Sequence, residues 1–172
     1  DAEFIRGKVP MTKEEVREVS ICKMRLRTDS VLYDIGCGTG SVSIEAAGLS
    51  ENITVYTIEQ KEEAFALIEE NKKKSGLENI KVIRGAAPEA MQDLPVPTHA
   101  FIGGSGGKLK EILNVLYQKN PKMRVVINAI SLETISELNM ILEEYPVQNE
   151  EIIQIQVNRT KKAGKYHLMQ AE

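Results

Sequence analysis

An α/β doubly wound fold with a seven-stranded sheet, mostly parallel with one strand reversed, is the architecture this sequence predicts. Three observations carry it. β-Branched and apolar runs recur near 31–35, 53–58, 80–84, 99–102 and 124–128, with helical stretches between them, the pattern of parallel strands joined by crossover helices. The first run, Val31 to Ile35, ends in Gly36-Cys37-Gly38-Thr39-Gly40, where glycines at alternate positions let the chain turn sharply and let a ligand approach the backbone. Beyond the fifth run the pattern changes: 151–159 alternates, 160–164 reads as a turn and 165–171 extends again, which predicts a terminal hairpin.

Each element has a local reason. Thr12-Lys13-Glu14-Glu15 reads as a capping box that opens a first helix. The helix after Glu59 carries Ala64, Leu67 and Ile68, and Gly76 closes it. Leu132 to Glu144 supplies another helix, stopped by Pro146. Tyr33 and Tyr56 alternate within strands and read as core or interface. The 172 residues, 42% of them hydrophobic, suffice to bury a core in one domain. Within it, 1–30 forms an N-terminal segment and helix, 31–145 the α/β core and 146–172 the hairpin.

Net charge is −3, with Lys and Arg dispersed among Asp and Glu, so no strong field holds the chain on nucleic acid or a membrane. Two cysteines, Cys22 and Cys37, have neither metal-ligand spacing nor a disulfide framework, and no metal site is expected. No apolar run approaches a membrane span and the amino end lacks a signal-peptide core, which points to the cytoplasm.

The glycine loop narrows the ligand. A dinucleotide fingerprint needs Gly-x-Gly-x-x-Gly, and here Gly40 comes one residue early. Asp34, just before the loop, would repel a pyrophosphate but suits a cation such as the ammonium and sulfonium of S-adenosylmethionine. Nineteen residues after Gly40, the run Ile53 to Glu59 ends in a carboxylate whose two oxygens fit the vicinal hydroxyls of an adenosine ribose. The competing reading is that Glu59 starts the next helix, where a carboxylate is favoured in any case.

With Asp34-Ile-Gly-Cys-Gly-Thr-Gly40 and Glu59 in place, everything from Val31 onward resembles the seven-stranded, Rossmann-like class I S-adenosylmethionine-dependent methyltransferases. A narrower resemblance lies in Phe4-Ile-Arg-Gly-Lys-Val-Pro-Met-Thr-Lys-Glu-Glu-Val-Arg17 and in Phe101-Ile-Gly-Gly-Ser-Gly-Gly107. Both peptides are similar to the decarboxylating precorrin methyltransferases of cobalamin synthesis. That resemblance implies methylation of carbon 15 of a precorrin-6B or cobalt-precorrin-6B tetrapyrrole, with loss of carbon dioxide from the acetate at carbon 12. It also implies a homo-oligomer, a tetramer by preference, and in some organisms a separate methyltransferase for carbon 5. The 1–30 segment would then cap substrate and cofactor.

Carried over by position, the cofactor site comprises Thr12, Asp34, Gly36, Cys37, Gly38, Thr39, Gly40, Glu59, Ala86 and Ala87. Thr12 reads either as a helix cap or as a contact to the methionine carboxylate. Relatives often have Gly-Asp-Ala after the third strand; here Ala86 stands where the Asp would be, which leaves adenine to backbone groups. Methyl transfer to carbon is an in-line displacement in which positioning can suffice, so Gly103, Gly104, Ser105 and His99 are candidates for placing the reacting groups, and no dedicated base is required. His99 reads equally as a structural histidine. The four glycines of 103–107 would open room for a flat substrate, or form a flexible loop ahead of the next helix. Arg6, Lys8, Arg159, Lys161, Lys162 and Lys165 are candidates to meet substrate carboxylates, and each reads equally as solvated surface. Two other classes stay open: a methyltransferase acting on RNA or protein, for which 5% aromatic residues and no Trp are poor material, and a non-catalytic cofactor-binding partner subunit.

Overall fold

The structure, a computed structural model, describes residues 1–171. Five parallel strands form one sheet: β1 (Val31–Ile35), β2 (Thr54–Glu59), β3 (Ile80–Arg84), β4 (His99–Ile102) and β5 (Arg124–Ile127), in the order β3-β2-β1-β4-β5. The helices are α1 (Glu14–Met24), α2 (Ser41–Gly48), α3 (Glu62–Ser75), α4 (Leu109–Lys119) and α5 (Leu132–Leu142), and β6 (Asn158–Ala163) and β7 (Tyr166–Ala171) follow.

Alternation along the strands sends side chains to two cores. From β1, Leu32 joins Met24 of α1, Val42 and Ala46 of α2, and Val55. Tyr33 and Ile35 go to the other face with Leu109, Ile112, Leu113 and Leu116, a stripe at helical spacing on α4. Tyr33 is fully buried, its ring lies edge-on to Tyr56 at 5.9 Å, and its hydroxyl donates to the Pro95 carbonyl at 2.5 Å, so the core reading holds. Burial pushes the Tyr33 hydroxyl up to about 12. The strand order reverses between β1 and β4, and in such sheets ligands bind beyond the carboxyl ends at that point.

Two expectations change. The predicted capping box does not form: Lys13 is the N-cap of α1, with no side-chain cap. The first helical bond runs from the Arg17 amide to the Lys13 carbonyl at 2.8 Å, which puts Thr12 one residue outside the helix, where its own carbonyl accepts from the buried Arg17 guanidinium at 2.7 Å. At the other end, the hairpin is shifted and stands apart. Residues 151–157 form no strand, and β6 pairs only with β7, giving a five-stranded and a two-stranded sheet in place of one seven-stranded sheet. Gly164 has φ +61 and Ala163 pairs with Tyr166, so the turn is Gly164-Lys165 with glycine first, as a II′ turn requires. The residues 160–163 read as a turn are therefore strand.

Candidate active site

Beyond the carboxyl ends of β1 to β4 lies an open cleft lined by Gly36, Glu59, Ala86, Ala87, Gly104 and Ser105 among others. Four separate chain segments supply those six residues, and all six were candidates from the sequence. The cleft also takes in Gly106, one of the four loop glycines, and Gln60, Gly85 and Lys108, which sequence reading missed. Their signal was only adjacency to a strand end, which is how this fold builds sites.

The floor is backbone packed on backbone. Gly36 has φ +68, and a Cβ there would stand 2.3 Å from the Gly104 carbonyl oxygen. The amides of Gly103 and Gly104 both donate to the Ile35 carbonyl, at 3.0 and 3.3 Å, and that of Gly36 donates to Ile58. Gly103 is the packed glycine of that loop: a Cβ there would meet the Phe101 ring at 3.1 Å and the Gly36 carbonyl oxygen at 3.2 Å, whereas one on Gly104 would meet only the Gly36 oxygen, at 3.9 Å. Gly106 and Gly107 are glycines for conformation, with φ +59 and φ +80, and nothing lies within 4 Å of a Cβ on Gly107.

Glu59 ends β2 and lines the cleft; the first-turn carboxylates of α3 are Glu62 and Glu63, so Glu59 does not start that helix. Its Oε1 accepts from the amides of Gln60 and Lys61, both at 2.9 Å, and its Oε2 accepts from Gly38 at 3.2 Å. The carboxylate is therefore oriented before any ligand arrives, and Oε2 keeps capacity for another donor.

Asp34 lies beneath the loop, fully buried and outside the cleft lining. Its Oδ2 accepts from the Ser43 hydroxyl at 2.5 Å, which accepts from Thr57 at 2.7 Å, while Oδ1 has no partner. Burial raises this carboxyl to about 7, with Ser43 opposing the shift and the Glu59 charge adding to it. Cys37 donates to the Ile58 carbonyl at 3.6 Å, and burial drives its thiol far up, away from nucleophilic chemistry. Thr39 is buried with an unpartnered hydroxyl, and Gly40, φ +75, is the N-cap of α2 packed against Ile68.

The sequence placed His99 near the site, and the structure moves it away. It begins β4, so the strand's length separates it from Gly103. Its ring contacts the Thr98 hydroxyl at 2.8 Å, and burial, helped by Arg27 and Arg124, lowers its pKa. It lies at the end of the sheet opposite the cleft and is not in the cleft lining.

The basic candidates scatter. Arg6 pairs with Asp1 at 3.0 Å, Arg159 pairs with Glu15 at 2.6 Å, and Lys165 lies over the Tyr166 ring. Lys8, Lys161 and Lys162 are exposed. Opposite residues in an antiparallel pair share a face, so Arg159 and Lys161 lie on one side of the hairpin and Lys162 on the other. None of the six lines the cleft; the basic side chain there is Lys108, paired with Glu89 at 2.7 Å.

A switch-point cleft with a Gly-x-Gly-x-Gly loop after β1 and an oriented carboxylate ending β2 defines an S-adenosylmethionine-dependent methyltransferase. The comparisons narrow the class. The profile of the precorrin methyltransferase domain matches residues 3–172, and the chain belongs to that family. A curated relative from Pyrobaculum calidifontis, described as a probable cobalt-precorrin-6B C(15)-methyltransferase (decarboxylating), is 39% identical over 165 residues, covering 95% of this chain and 84% of its own. The crystal structure of precorrin-6y C5,15-methyltransferase from Geobacter metallireducens superposes with TM-score 0.91 at 35% identity, covering 100% of this chain and 91% of that one. A structure described as precorrin 8W decarboxylase from Methanobacterium thermoautotrophicum gives 0.92 at 34%, covering 100% and 93%.

Proposed function

We propose that this chain transfers the methyl group of S-adenosylmethionine to carbon 15 of precorrin-6B or its cobalt form and releases the carbon 12 acetate as carbon dioxide, in cobalamin synthesis. The observation that carries the reading is the family match over nearly the whole chain, together with a cleft at the switch point that the loop and Glu59 frame. Bound cofactor supplies an electrophilic methyl. The chain's own residues orient it: Glu59 takes the ribose hydroxyls, the 36–40 loop surrounds the methionine end, and the backbone at Ala86 and Ala87 meets adenine. The short loops at 103–108 place the acceptor. Carbon methylation by displacement needs alignment and exclusion of water more than a base.

The acceptor carries many carboxylates, and Lys108 is the basic group placed to meet one, exchanging its Glu89 partner for substrate. Lys108→Ala is expected to raise the tetrapyrrole KM about tenfold, roughly one charge-assisted bond, with kcat and cofactor Kd little changed. Steady-state kinetics in both substrates checks this. The reading itself is tested by mass spectrometry of a cobalt-precorrin-6B incubation with S-adenosylmethionine: a product with one methyl gained and carbon dioxide lost supports it, and unchanged substrate in the presence of bound cofactor overturns it.

The proposal extends to assembly and place. Ile130, Leu132 and Met140 on and beside α5 are exposed, as are Ile152 and Ile153, and β5 ends the five-stranded sheet. Apolar area and an open edge together suit a homo-oligomer, a tetramer by family preference. Among the described residues no helix is long and apolar enough to cross a membrane; the cytoplasm is the proposed location, with carbon 5 methylation left to a separate enzyme.

A further inference from the structure

The buried side chain of Asn71, on α3, bridges two segments remote in sequence. Its Nδ2 donates to the Thr39 carbonyl in the glycine loop and to the Ile5 carbonyl, both at 3.1 Å, and its Oδ1 accepts from the Ile5 amide at 2.7 Å. It is 2% exposed, so an unmade bond here is not replaced by water. Only an amide fits this set: Asp would set a carboxylate against two carbonyls, and Leu would orphan three backbone groups.

The segment so held crosses the loop. Seven residues on from Ile5, the Thr12 carbonyl is gripped by Arg17, which is 1% exposed, stacks on the Phe4 ring at 5.0 Å and ion-pairs with Glu45 at 2.7 Å. Between these two anchors, the Pro10 carbonyl lies where a Cβ on Gly38 would come within 2.5 Å of it, and Val9 packs beside it. Gly38 is the residue whose amide donates to Glu59. Strap, loop and ribose carboxylate thus form one connected set, with Asn71 tying the strap to the loop.

We infer that Asn71 is a positioning residue for the cofactor site: it fixes the 36–40 loop and the 5–12 strap relative to each other, so that strap order and cofactor binding favour one another. Linkage makes this reciprocal. A ligand that needs the ordered loop suppresses opening of the strap, and loosening the strap weakens the ligand.

Arg6 and Lys8 are exposed on the strap and give trypsin its cut sites there. In the wild-type protein, saturating S-adenosylhomocysteine is expected to slow cleavage at Arg6 and Lys8 at least fivefold. In Asn71→Leu and Asn71→Asp, the S-adenosylhomocysteine Kd is expected to rise at least tenfold and the protection at Arg6 and Lys8 to disappear, while cleavage after Lys119 and Lys122, remote from the strap, responds to ligand as in wild type. A merely structural Asn71 would lower the melting temperature and leave the Kd and the ligand-dependent protection of the folded fraction intact. Equal strap cleavage of the wild-type protein with and without S-adenosylhomocysteine overturns the inference, and needs no variant to fold.

Discussion

Gly36→Ala is expected to destabilise the protein by roughly 3 to 5 kcal/mol and to abolish measurable cofactor binding, whereas Gly76→Ala costs about 1 kcal/mol and leaves binding untouched. The two glycines have nearly the same φ, +68 and +70, so the strain of giving an L side chain a positive φ is common to both. What differs is the space. Nothing lies within 4 Å of a Cβ on Gly76, but one on Gly36 meets the oxygen, carbonyl carbon and Cα of Gly104 at 2.3, 2.9 and 2.9 Å. All three are backbone atoms, and Gly104 is tied to Ile35 by its amide, so a new methyl must part the ends of β1 and β4. That junction is the cleft floor. Chemical denaturation of both variants, with titration calorimetry against S-adenosylhomocysteine, isolates the steric part from the conformational part. Equal losses for the two variants would mean that the β1 and β4 loops are not packed as described.

That close approach explains why some of the site was legible in the sequence and some was not. Strands β1, β3 and β4 fall where β-branched runs end, because strand ends facing a ligand are marked by glycines and carboxylates within a few residues. Glu59, Gly36 and the Ala86-Ala87 turn could be found from local pattern for that reason. Asn71 could not: its partners lie 66 and 32 residues away and are backbone groups with no residue signature. His99 failed in the opposite way. Two residues from Phe101 is near in sequence, but along a strand each residue adds about 3.3 Å away from the carboxyl end. Thr12 had a capping box on paper, but the first helical bond is accepted by the Lys13 carbonyl, one residue further on, which leaves Thr12 outside the helix. The hairpin was seen as such, but its register was misplaced because 151–157 alternates as a strand would while the Gly164-Lys165 turn sets the pairing from the far end.

Asp34→Asn presents the reverse balance, a substitution in the site region expected to stabilise the unliganded protein. The Asp34 carboxyl is raised from 3.8 to about 7 by burial. Between those values the folded state holds a proton that the unfolded state has released, so stability falls as pH rises from about 4 to 7 and stays at the lower level above. At about 1.4 kcal/mol per pKa unit, the ionised carboxylate costs on the order of 4 kcal/mol at pH 8. Asparagine is neutral throughout, its carbonyl can accept the Ser43 hydroxyl that Oδ2 now accepts, and it leaves no charge unpaired at Oδ1. The variant is therefore expected to gain roughly 2 to 4 kcal/mol at pH 8, with the gain fading toward pH 4, as read by denaturant unfolding across that range. Cofactor affinity is expected to move the other way, by at least tenfold, because a carboxylate kept under the loop at such cost is compensated when a sulfonium and an ammonium lie above it. A variant less stable than wild type at pH 8 would show that the carboxylate already has a compensating partner within the protein. A variant that gains stability and loses no affinity would place Asp34 outside the cofactor's electrostatic reach and leave Glu59 as the acidic group that the cofactor senses.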